Sequence, residues 1–205
     1  MKKILPAIIG LGYVGLPIFL RLKNNFNCVG FDINKKRINQ LTKKNFDINS
    51  EFKRKDLKIY NNSQFTKNES LLKNCNFFIV SVPTPIKKNK TPDLKLMRKA
   101  CIAISKYLKK DDIVFFESTV YPGVTRSLAV KYFSKKNFEI NKDFWLGYSP
   151  ERINPGDKKH TISKISKIVG FENCPNRIEQ KILSVYKCIS KKIVRTNTLE
   201  HAEMS

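Results

Sequence analysis

The sequence predicts a doubly wound α/β fold, in which a mainly parallel sheet carries helices on both of its faces. Three observations lead to this prediction. Short apolar runs alternate with helical segments, a glycine-rich turn joins the first run to the first helix, and polar motifs follow several of the later runs. Strands that are apolar throughout are typical of parallel sheets buried on both faces.

The predicted strands are short runs whose residues are hydrophobic on both faces. They are Ile4 to Ile9, Cys28 to Asp32, Phe77 to Val82, Ile113 to Phe116, Phe144 to Tyr148, Ile165 to Gly170 and Lys192 to Arg195. Pro6 lies within the first run and removes one N–H from the ladder. We therefore expect either a bulge or a locally weakened strand at that position.

The predicted helices follow apolar residues at helical spacing and the residues that begin helices. They are Tyr13 to Phe26, Lys35 to Lys44, a short helix after the capping box Thr66-x-x-Glu69, a helix from Asp93 to Tyr107, Thr125 to Phe133, Asn176 to Tyr186 and a last helix from about Thr198. Pro17 is tolerated because it lies in a first turn. The stretch from Phe46 to Tyr60 fits neither pattern.

Length and composition indicate one domain of ordinary size. The chain has 205 residues, of which 41% are hydrophobic and 28% charged, as in soluble globular proteins. No stretch reaches the ~20 apolar residues that span a bilayer. The amino terminus has no cleavage motif for secretion. We expect a cytoplasmic protein that does not enter the membrane.

The charge balance is strongly basic, with 40 Lys and Arg against 17 Asp and Glu and a net charge of +23. Such a charge attracts nucleic acid and other polyanions. However, only eight of these 40 residues are Arg, and the lysines are scattered along the whole chain. Arg is the residue that reads bases and phosphates with two parallel hydrogen bonds. A general bias towards lysine therefore explains the charge better than a nucleic-acid surface.

Cysteine and histidine are too few and too scattered to predict a metal site. The five cysteines form no C-x-x-C pair, and neither of the two histidines stands at ligand spacing from any of them. We expect reduced, buried thiols and no bound metal.

The strongest motif is Gly10-Leu11-Gly12-Tyr13-Val14-Gly15, which follows the first strand and opens the first helix. Gly10 permits a tight turn, Gly12 lets a pyrophosphate approach the backbone, and Gly15 allows close packing of the helix on the strand. The motif alone is weak evidence, because an incidental glycine-rich turn has the same letters. Asp32, 20 residues after Gly12, adds a carboxylate for the adenosine ribose. Together they predict a Rossmann-type domain that binds a dinucleotide through this turn, including Tyr13, and through Asp32.

Asp32 favours NAD over NADP, because its carboxylate repels a 2′-phosphate. Lys35, Lys36 and Arg37 moderate this preference, since they could neutralise an extra phosphate. For the two lysines, a solvated first helical turn is the better interpretation. For Arg37, both interpretations remain open: neutralisation of an extra phosphate and a solvated helical turn.

Three further motifs directly follow apolar strands, where ligands bind in open parallel sheets. They are Val82-Pro83-Thr84-Pro85, the segment 117–123 (Glu-Ser-Thr-Val-Tyr-Pro-Gly) and the segment 149–157 (Ser-Pro-Glu-Arg-Ile-Asn-Pro-Gly-Asp). Singly, each could be a plain turn. With the glycine motif, they indicate one site.

With these motifs, the chain closely resembles the NAD-binding amino-terminal domain of the UDP-glucose/GDP-mannose dehydrogenase family. The resemblance covers residues 8–17, 82–85, 117–123 and 149–152 in the same order. The form of 149–157 is similar to the branch that oxidises UDP-N-acetylhexosamines, above all the UDP-N-acetylglucosamine 6-dehydrogenases of capsule synthesis. The resemblance implies that the C6 hydroxyl of a UDP-sugar is oxidised to a carboxylate with two NAD.

Matching motifs carry roles over to individual residues. The resemblance implies NAD contacts at Val14, Asp32, Arg37, Thr84 and Thr119. It implies that Thr119 and Glu151 hold the water of the hydrolytic step, with Glu151 as general base. An ion pair with a nearby lysine is the alternative for Glu151, and a turn-capping hydroxyl is the alternative for Thr119.

The resemblance also implies that Arg152, Ile153 and Asn154 help to bind the sugar nucleotide. At the carboxyl terminus, the chain departs from the family pattern. Family members carry a catalytic lysine in Ala-Glu-x-x-Lys and a nucleophilic cysteine further on, whereas this chain ends at Ala202-Glu203-Met204-Ser205.

We therefore expect residues 1–197 to form the NAD-binding domain and residues 198–205 to begin a truncated central helix that frays. The helix through which the family forms homodimers and the UDP-binding domain are expected to be missing. As a fragment, the chain should bind NAD without turnover.

Three alternatives remain at this point. The chain could be the first domain of another NAD-dependent enzyme, such as a 3-hydroxyacid dehydrogenase. It could be a non-catalytic nucleotide-binding remnant, or a nucleic-acid-binding protein that uses its positive charge.

Overall fold

A computed structural model of the chain describes residues 3–43, 57, 62–134, 137–151 and 166–205. Within these residues, eight strands form one sheet. The strands are β1 (Pro6–Ile9), β2 (Val29–Phe31), β3 (Gln64–Thr66), β4 (Phe77–Val80), β5 (Ile113–Phe116), β6 (Trp145–Tyr148), β7 (Lys167–Phe171) and β8 (Ile193–Thr196). The stretch from Phe46 to Tyr60, apart from Leu57, lies outside the described residues.

The same residues form six α-helices, which connect the strands. These are α1 (Gly15–Leu22), α2 (Lys35–Thr42), α3 (Lys95–Tyr107), α4 (Val124–Phe133), α5 (Asn176–Ile189) and α6 (Leu199–Glu203), with a 3-10 helix at Glu69–Asn74. None of the described helices has both the length and the apolar character needed to cross a membrane.

The strands lie in the order β3-β2-β1-β4-β5-β6-β7-β8. All neighbours from β3 to β6 are parallel, and β7 is antiparallel to β6 and parallel to β8. The first six strands follow the order of a doubly wound Rossmann sheet. The predicted fold class is therefore confirmed, and the reversal at β7 is an addition that the sequence pattern did not indicate.

Helices bury both faces of the sheet. Along β4, Phe77 and Ile79 pack into a cluster with residues of α1 and α5, while Phe78 and Val80 pack into a cluster with residues of α3 and α4. All four side chains are fully buried. Because neither face is left to water, the central strands carry no polar side chain until they end, and polar groups collect at the strand ends.

Pro6 neither bulges nor interrupts β1. The four residues of β1 face the four residues of β4 in unbroken register, from Pro6 opposite Phe77 to Ile9 opposite Val80. Pairing with β2 begins only at Ala7, opposite Val29. Pro6 thus stands at the first position of the strand, where a missing N–H is tolerated.

The predicted capping box at Thr66 and Glu69 is wrong. Thr66 is the last residue of β3, a strand that the sequence pattern did not predict. Asn68 caps the 3-10 helix, because its side chain accepts a hydrogen bond from the Ser70 N–H at 3.1 Å. The Thr66 hydroxyl accepts one from the Asn68 N–H at 2.9 Å, which holds the turn between strand and helix.

The expectation that the last helix frays is also wrong for the described residues. Leu199 and Ala202 of α6 are buried. The Glu203 carboxylate accepts hydrogen bonds from the Gly123 N–H at 2.6 Å and the Thr125 N–H at 3.0 Å. Gly123 stands at the N-cap of α4 and has no side chain with which to cap it. Glu203 therefore supplies the cap and the negative charge that this helix end favours.

Replacing this cap should weaken the whole fold. We expect Glu203→Ala to lower the free energy of unfolding by about 1–2 kcal/mol, because two N–H groups at the amino end of α4, of which that of Thr125 is buried, lose their acceptor. Urea denaturation followed by circular dichroism measures this change.

Glu139→Ala is the matched control for this substitution. Glu139 is exposed, and among the described residues its carboxylate pairs with Lys142, three residues away, so its loss should cost less than about 0.5 kcal/mol. Equal effects of the two substitutions would contradict the capping role of Glu203.

Candidate functional site

The three glycines of the turn between β1 and α1 meet different constraints. Gly10 has a φ of 95°, and a Cβ there would lie 2.9 Å from the carbonyl oxygen of Ser81. A Cβ on Gly15 would lie 1.9 Å from the carbonyl oxygen of Gly10. A Cβ on Gly12 would meet no described atom within 4 Å. Gly10 and Gly15 thus shape the turn, whereas Gly12 leaves open space in front of the backbone.

The amino end of α1 opens onto this space and has no side-chain cap. Val14 occupies the N-cap position and carries no hydrogen-bond acceptor. The first N–H groups of a helix bear partial positive charge and readily bind phosphate. The end of α1 is therefore suited to an anionic group such as a pyrophosphate.

Asp32 stands directly after β2, beside the glycine turn. Its two carboxylate oxygens accept hydrogen bonds from the Leu11 N–H at 2.9 Å and the Asn34 N–H at 2.8 Å. These two bonds fix the orientation of the carboxylate and leave further lone pairs for a ligand. Asp32 thus supports the turn and lies where ribose hydroxyls are expected.

Arg37 is a buried residue of α2 rather than part of a solvated helical turn. Its Nε donates to the carbonyl oxygen of Leu11 at 2.8 Å, so it holds the residue whose N–H is bonded to Asp32. Lys35 and Lys36, two positions and one position earlier, are exposed, as the solvated interpretation predicts.

A cavity of about 670 Å³ lies at the carboxyl ends of β1, β2 and β4. Five of the predicted cofactor-binding residues line it: Gly10, Gly12, Tyr13, Asp32 and Arg37. Sequence reasoning missed the apolar wall of this cavity, which comprises Ile33, Leu96, Ala100, Ile102 and Ala103. The volume and the mixture of apolar wall and few polar groups fit a nucleotide cofactor.

One signal could have identified this apolar wall. Ile33 and Ile102 remain exposed, at 63% and 44% of their surface, although large apolar side chains in such a fold are usually covered. Ile33 directly follows Asp32, and Ile102 projects from α3. Exposed apolar groups that line a cleft are a usual sign of a ligand site.

Thr84 and Thr119 lie further along the same edge, beyond β4 and β5. The Thr84 hydroxyl donates to the carbonyl oxygen of Thr119 at 2.7 Å, and the Ser118 hydroxyl donates to the carbonyl oxygen of Val82 at 2.6 Å. The structure therefore joins two of the three polar strand-end motifs. The Thr119 side chain is exposed, and its predicted role stays a prediction.

Glu151 lies at the end of the segment that follows β6 and is mostly buried, with 11% of its side chain exposed. Its Oε2 is 3.9 Å from Nζ of Lys167, so the ion pair considered as an alternative from the sequence is present. Arg152, Ile153 and Asn154 lie outside the described residues, so their predicted role is untested.

Sequence reasoning missed the charged groups beneath Glu151. Glu117 is fully buried, forms an ion pair with Lys167 and accepts a hydrogen bond from the Tyr186 hydroxyl at 2.9 Å. Burial raises the pKa of the Glu117 carboxyl to about 7, although the Lys167 ammonium opposes this rise. Burial, together with the Glu117 carboxylate, raises the pKa of Tyr186 well above its usual value.

The cysteines do not provide a thiolate. Burial raises the pKa of Cys75 and Cys101 to about 12, and it also raises that of Cys28, Cys174 and Cys188. A nucleophilic cysteine needs a lowered pKa. Among the described residues, no three His, Cys, Asp or Glu side chains are grouped to hold a metal ion.

The chain is similar to curated proteins and to solved structures. It is 48% identical to the UDP-N-acetyl-D-glucosamine 6-dehydrogenase of Pseudomonas aeruginosa over 169 residues, which is 82% of this chain and 40% of that protein. It is 43% identical to the enzyme of the same name from Salmonella typhi over 195 residues, which is 91% of this chain and 46% of that protein. The chain thus spans less than half the length of these relatives.

Among solved structures, the UDP-D-ManNAc dehydrogenase from Pyrococcus horikoshii superimposes with a TM-score of 0.86 and 27% identity. The match covers 98% of this chain and 48% of that one. Residues 3–190 match the family model described as the NAD binding domain of the UDP-glucose/GDP-mannose dehydrogenase family. The chain belongs to this family, and the turn, the Asp32 carboxylate and the cavity lie within its NAD-binding domain.

Proposed function

We propose that this chain is the NAD-binding half of an NAD-dependent UDP-N-acetylhexosamine 6-dehydrogenase, with UDP-N-acetylglucosamine as the preferred substrate. The observation that carries the proposal is the position of Glu151 and Thr119. Both follow strands at the same sheet edge as the nucleotide cavity, and both belong to motifs shared with the family. The names of the two relatives described above support the choice of sugar.

The residues of the cavity bind and orient the cofactor, which when bound supplies a hydride acceptor for the sugar. The amino end of α1 and the backbone at Gly12 hold the pyrophosphate. The Asp32 carboxylate accepts hydrogen bonds from ribose hydroxyls. The apolar residues Ile33 and Ile102 would contact the base and exclude water from it.

Glu151 and Thr119 act on water in the hydrolytic step of the proposed reaction. The Thr119 hydroxyl orients a water molecule, and the Glu151 carboxylate takes its proton as general base. Arg152, Ile153 and Asn154 are proposed to contact the sugar nucleotide. The sulfur nucleophile and the catalytic lysine belong, in this proposal, to the length of the relatives that this chain does not span.

The same proposal covers domains, assembly and location. Residues 1–197 form the cofactor domain, and α6 begins the helix that carries the catalytic lysine. The whole enzyme forms a homodimer through that helix. It works in the cytoplasm, where both nucleotide substrates are available.

A chimera tests the proposed activity. Residues 1–205 of this chain replace the corresponding amino-terminal segment of the Pseudomonas aeruginosa enzyme. We expect the chimera to oxidise UDP-N-acetylglucosamine with two NADH formed per sugar, measured by absorbance. Glu151→Gln in the chimera should lower the rate at least about a hundredfold, as expected for loss of a general base. A folded chimera that binds NAD and leaves this sugar unchanged would refute the proposed activity.

Two glycine substitutions separate cofactor binding from folding. Gly12→Ala should leave the free energy of unfolding nearly unchanged and weaken NAD binding about tenfold or more, because the new methyl group occupies only the ligand space. Gly15→Ala should lower the free energy of unfolding by about 3 kcal/mol, because its methyl group overlaps the backbone of Gly10. Calorimetric titration with NAD and urea denaturation measure the two effects. A stable Gly12→Ala variant with unweakened NAD binding would contradict the pyrophosphate position.

Asp32→Ala should weaken NAD binding about tenfold or more and narrow the preference for NAD over NADP, because the ribose loses a charged acceptor. Asp93→Ala is the matched control. The Asp93 carboxylate also accepts a hydrogen bond from the N–H two residues ahead, that of Lys95, at 2.9 Å, but Asp93 is not among the residues that line the described cavity. Its loss should leave both affinities unchanged in calorimetric titration, and equal losses would argue against a ribose contact at Asp32.

A further inference from the structure

The reversal of strand direction at β7 brings a buried lysine to the edge where parallel strands end. In the antiparallel pair, Gly147 faces Phe171 and Tyr148 faces Gly170. Continued by three residues, this register sets Lys167 opposite Glu151. If β7 were parallel to β6, its carboxyl end would lie at this edge of the sheet. Lys167, the first residue of β7, would then lie at the opposite edge.

The Lys167 ammonium lies among oxygen atoms of three residues, which come from the segments that follow β5 and β6. It forms an ion pair with Glu117 after β5, donates to the carbonyl oxygen of Pro150 at 3.3 Å and lies 3.9 Å from Oε2 of Glu151. Only 7% of the Lys167 side chain is exposed. An ammonium group has three N–H donors, so these contacts leave the side chain little freedom to turn away from Glu151.

Glu117 and Tyr186 hold Lys167 in place from the sheet and from α5. The Glu117 side chain is fully buried, and the Tyr186 hydroxyl donates a hydrogen bond to one of its carboxylate oxygens at 2.9 Å. A buried carboxylate paired with a lysine is costly and contributes little net stability. A purely structural role is therefore a weak explanation for two buried charges directly beneath Glu151.

We propose that Lys167, anchored by Glu117 and Tyr186, is a positioning residue for Glu151, whose carboxylate it holds at the carboxyl edge of the sheet. This inference rests on the proposed function, in which Glu151 accepts a proton from water. A carboxylate can do so only in its anionic form. A positive charge within 4 Å favours that form, and Glu117 is sealed from solvent, so Glu151 is the member of the cluster that can face a substrate.

The titration of Glu151 in the 205-residue chain tests this role without any turnover. The ¹³C NMR signal of the Glu151 carboxyl is assigned by its loss in Glu151→Gln, and its pKa is read from a pH series. We expect Lys167→Met to raise this pKa by about one unit or more, because a nearby positive charge is removed. Lys167→Arg, which retains the charge, should restore most of the original value.

Two controls keep the outcome decisive. Lys110→Met removes the exposed ammonium that pairs with Asp143 and should leave the pKa of Glu151 unchanged. If Lys167→Met does not fold, Glu117→Gln/Lys167→Met removes both buried charges at nearly constant size. Comparison of this double variant with Glu117→Gln then isolates the effect of Lys167, with the same expected rise.

An unchanged pKa of Glu151 in the folded variants would overturn the positioning role and leave the proposed dehydrogenase activity standing. A raised pKa of Glu151 together with an inactive chimera would support the positioning role and refute the proposed dehydrogenase activity. In an active chimera, Lys167→Met should shift the acidic limb of the pH–rate profile upwards by the same amount as the pKa of Glu151. A uniform loss of rate without such a shift would also count against the positioning role.

Discussion

Parallel pairing of β1, β4, β5 and β6 determines where every polar group of the site lies. The strands are in register and apolar on both faces, so each can carry polar side chains only after it ends. Four carboxyl ends then meet at one edge, and the glycine turn, Thr84, Thr119 and Glu151 come from four separate segments to that edge. The positions of these groups therefore follow from the burial of the sheet, without any pattern that links distant parts of the sequence.

The buried charges beside β7 depend on a second, different constraint. Lys167 reaches Glu151 because β7 runs antiparallel to β6, and inside the protein its side chain forms an ion pair with Glu117. Each member is costly alone, since an unpaired buried charge is strongly destabilising. The cluster consequently exists as a unit formed by β5, β7, α5 and the segment after β6, and it holds these four parts to one another at the edge of the site.

Local signals in the sequence predicted one half of the site and could not predict the other. Gly10, Gly12, Gly15 and Asp32 stand at fixed spacing within a single β-α-β unit, so their arrangement follows from local geometry. By contrast, the N–H groups that donate to Glu203 lie about 80 residues away in the chain, so this contact does not follow from local geometry.

Lys167 and Glu117 are 50 residues apart, and their contact depends on the direction of one strand. Hydrophobic periodicity does not distinguish a parallel strand from an antiparallel one when both faces are buried. For the same reason the sequence did not single out Lys167 within the predicted strand Ile165 to Gly170, and its pairing became visible only in the structure.

The glycine turn is already shaped by its neighbours. The Gly10 N–H donates to the Phe31 carbonyl oxygen at 2.8 Å, and the Ser81 hydroxyl donates to the Gly10 carbonyl oxygen at 3.0 Å. The N–H and the carbonyl oxygen of Leu11 are engaged by Asp32 and Arg37. Part of the conformational entropy of the turn is therefore lost when the domain folds, so a dinucleotide that binds there has less backbone left to order at Gly10 and Leu11.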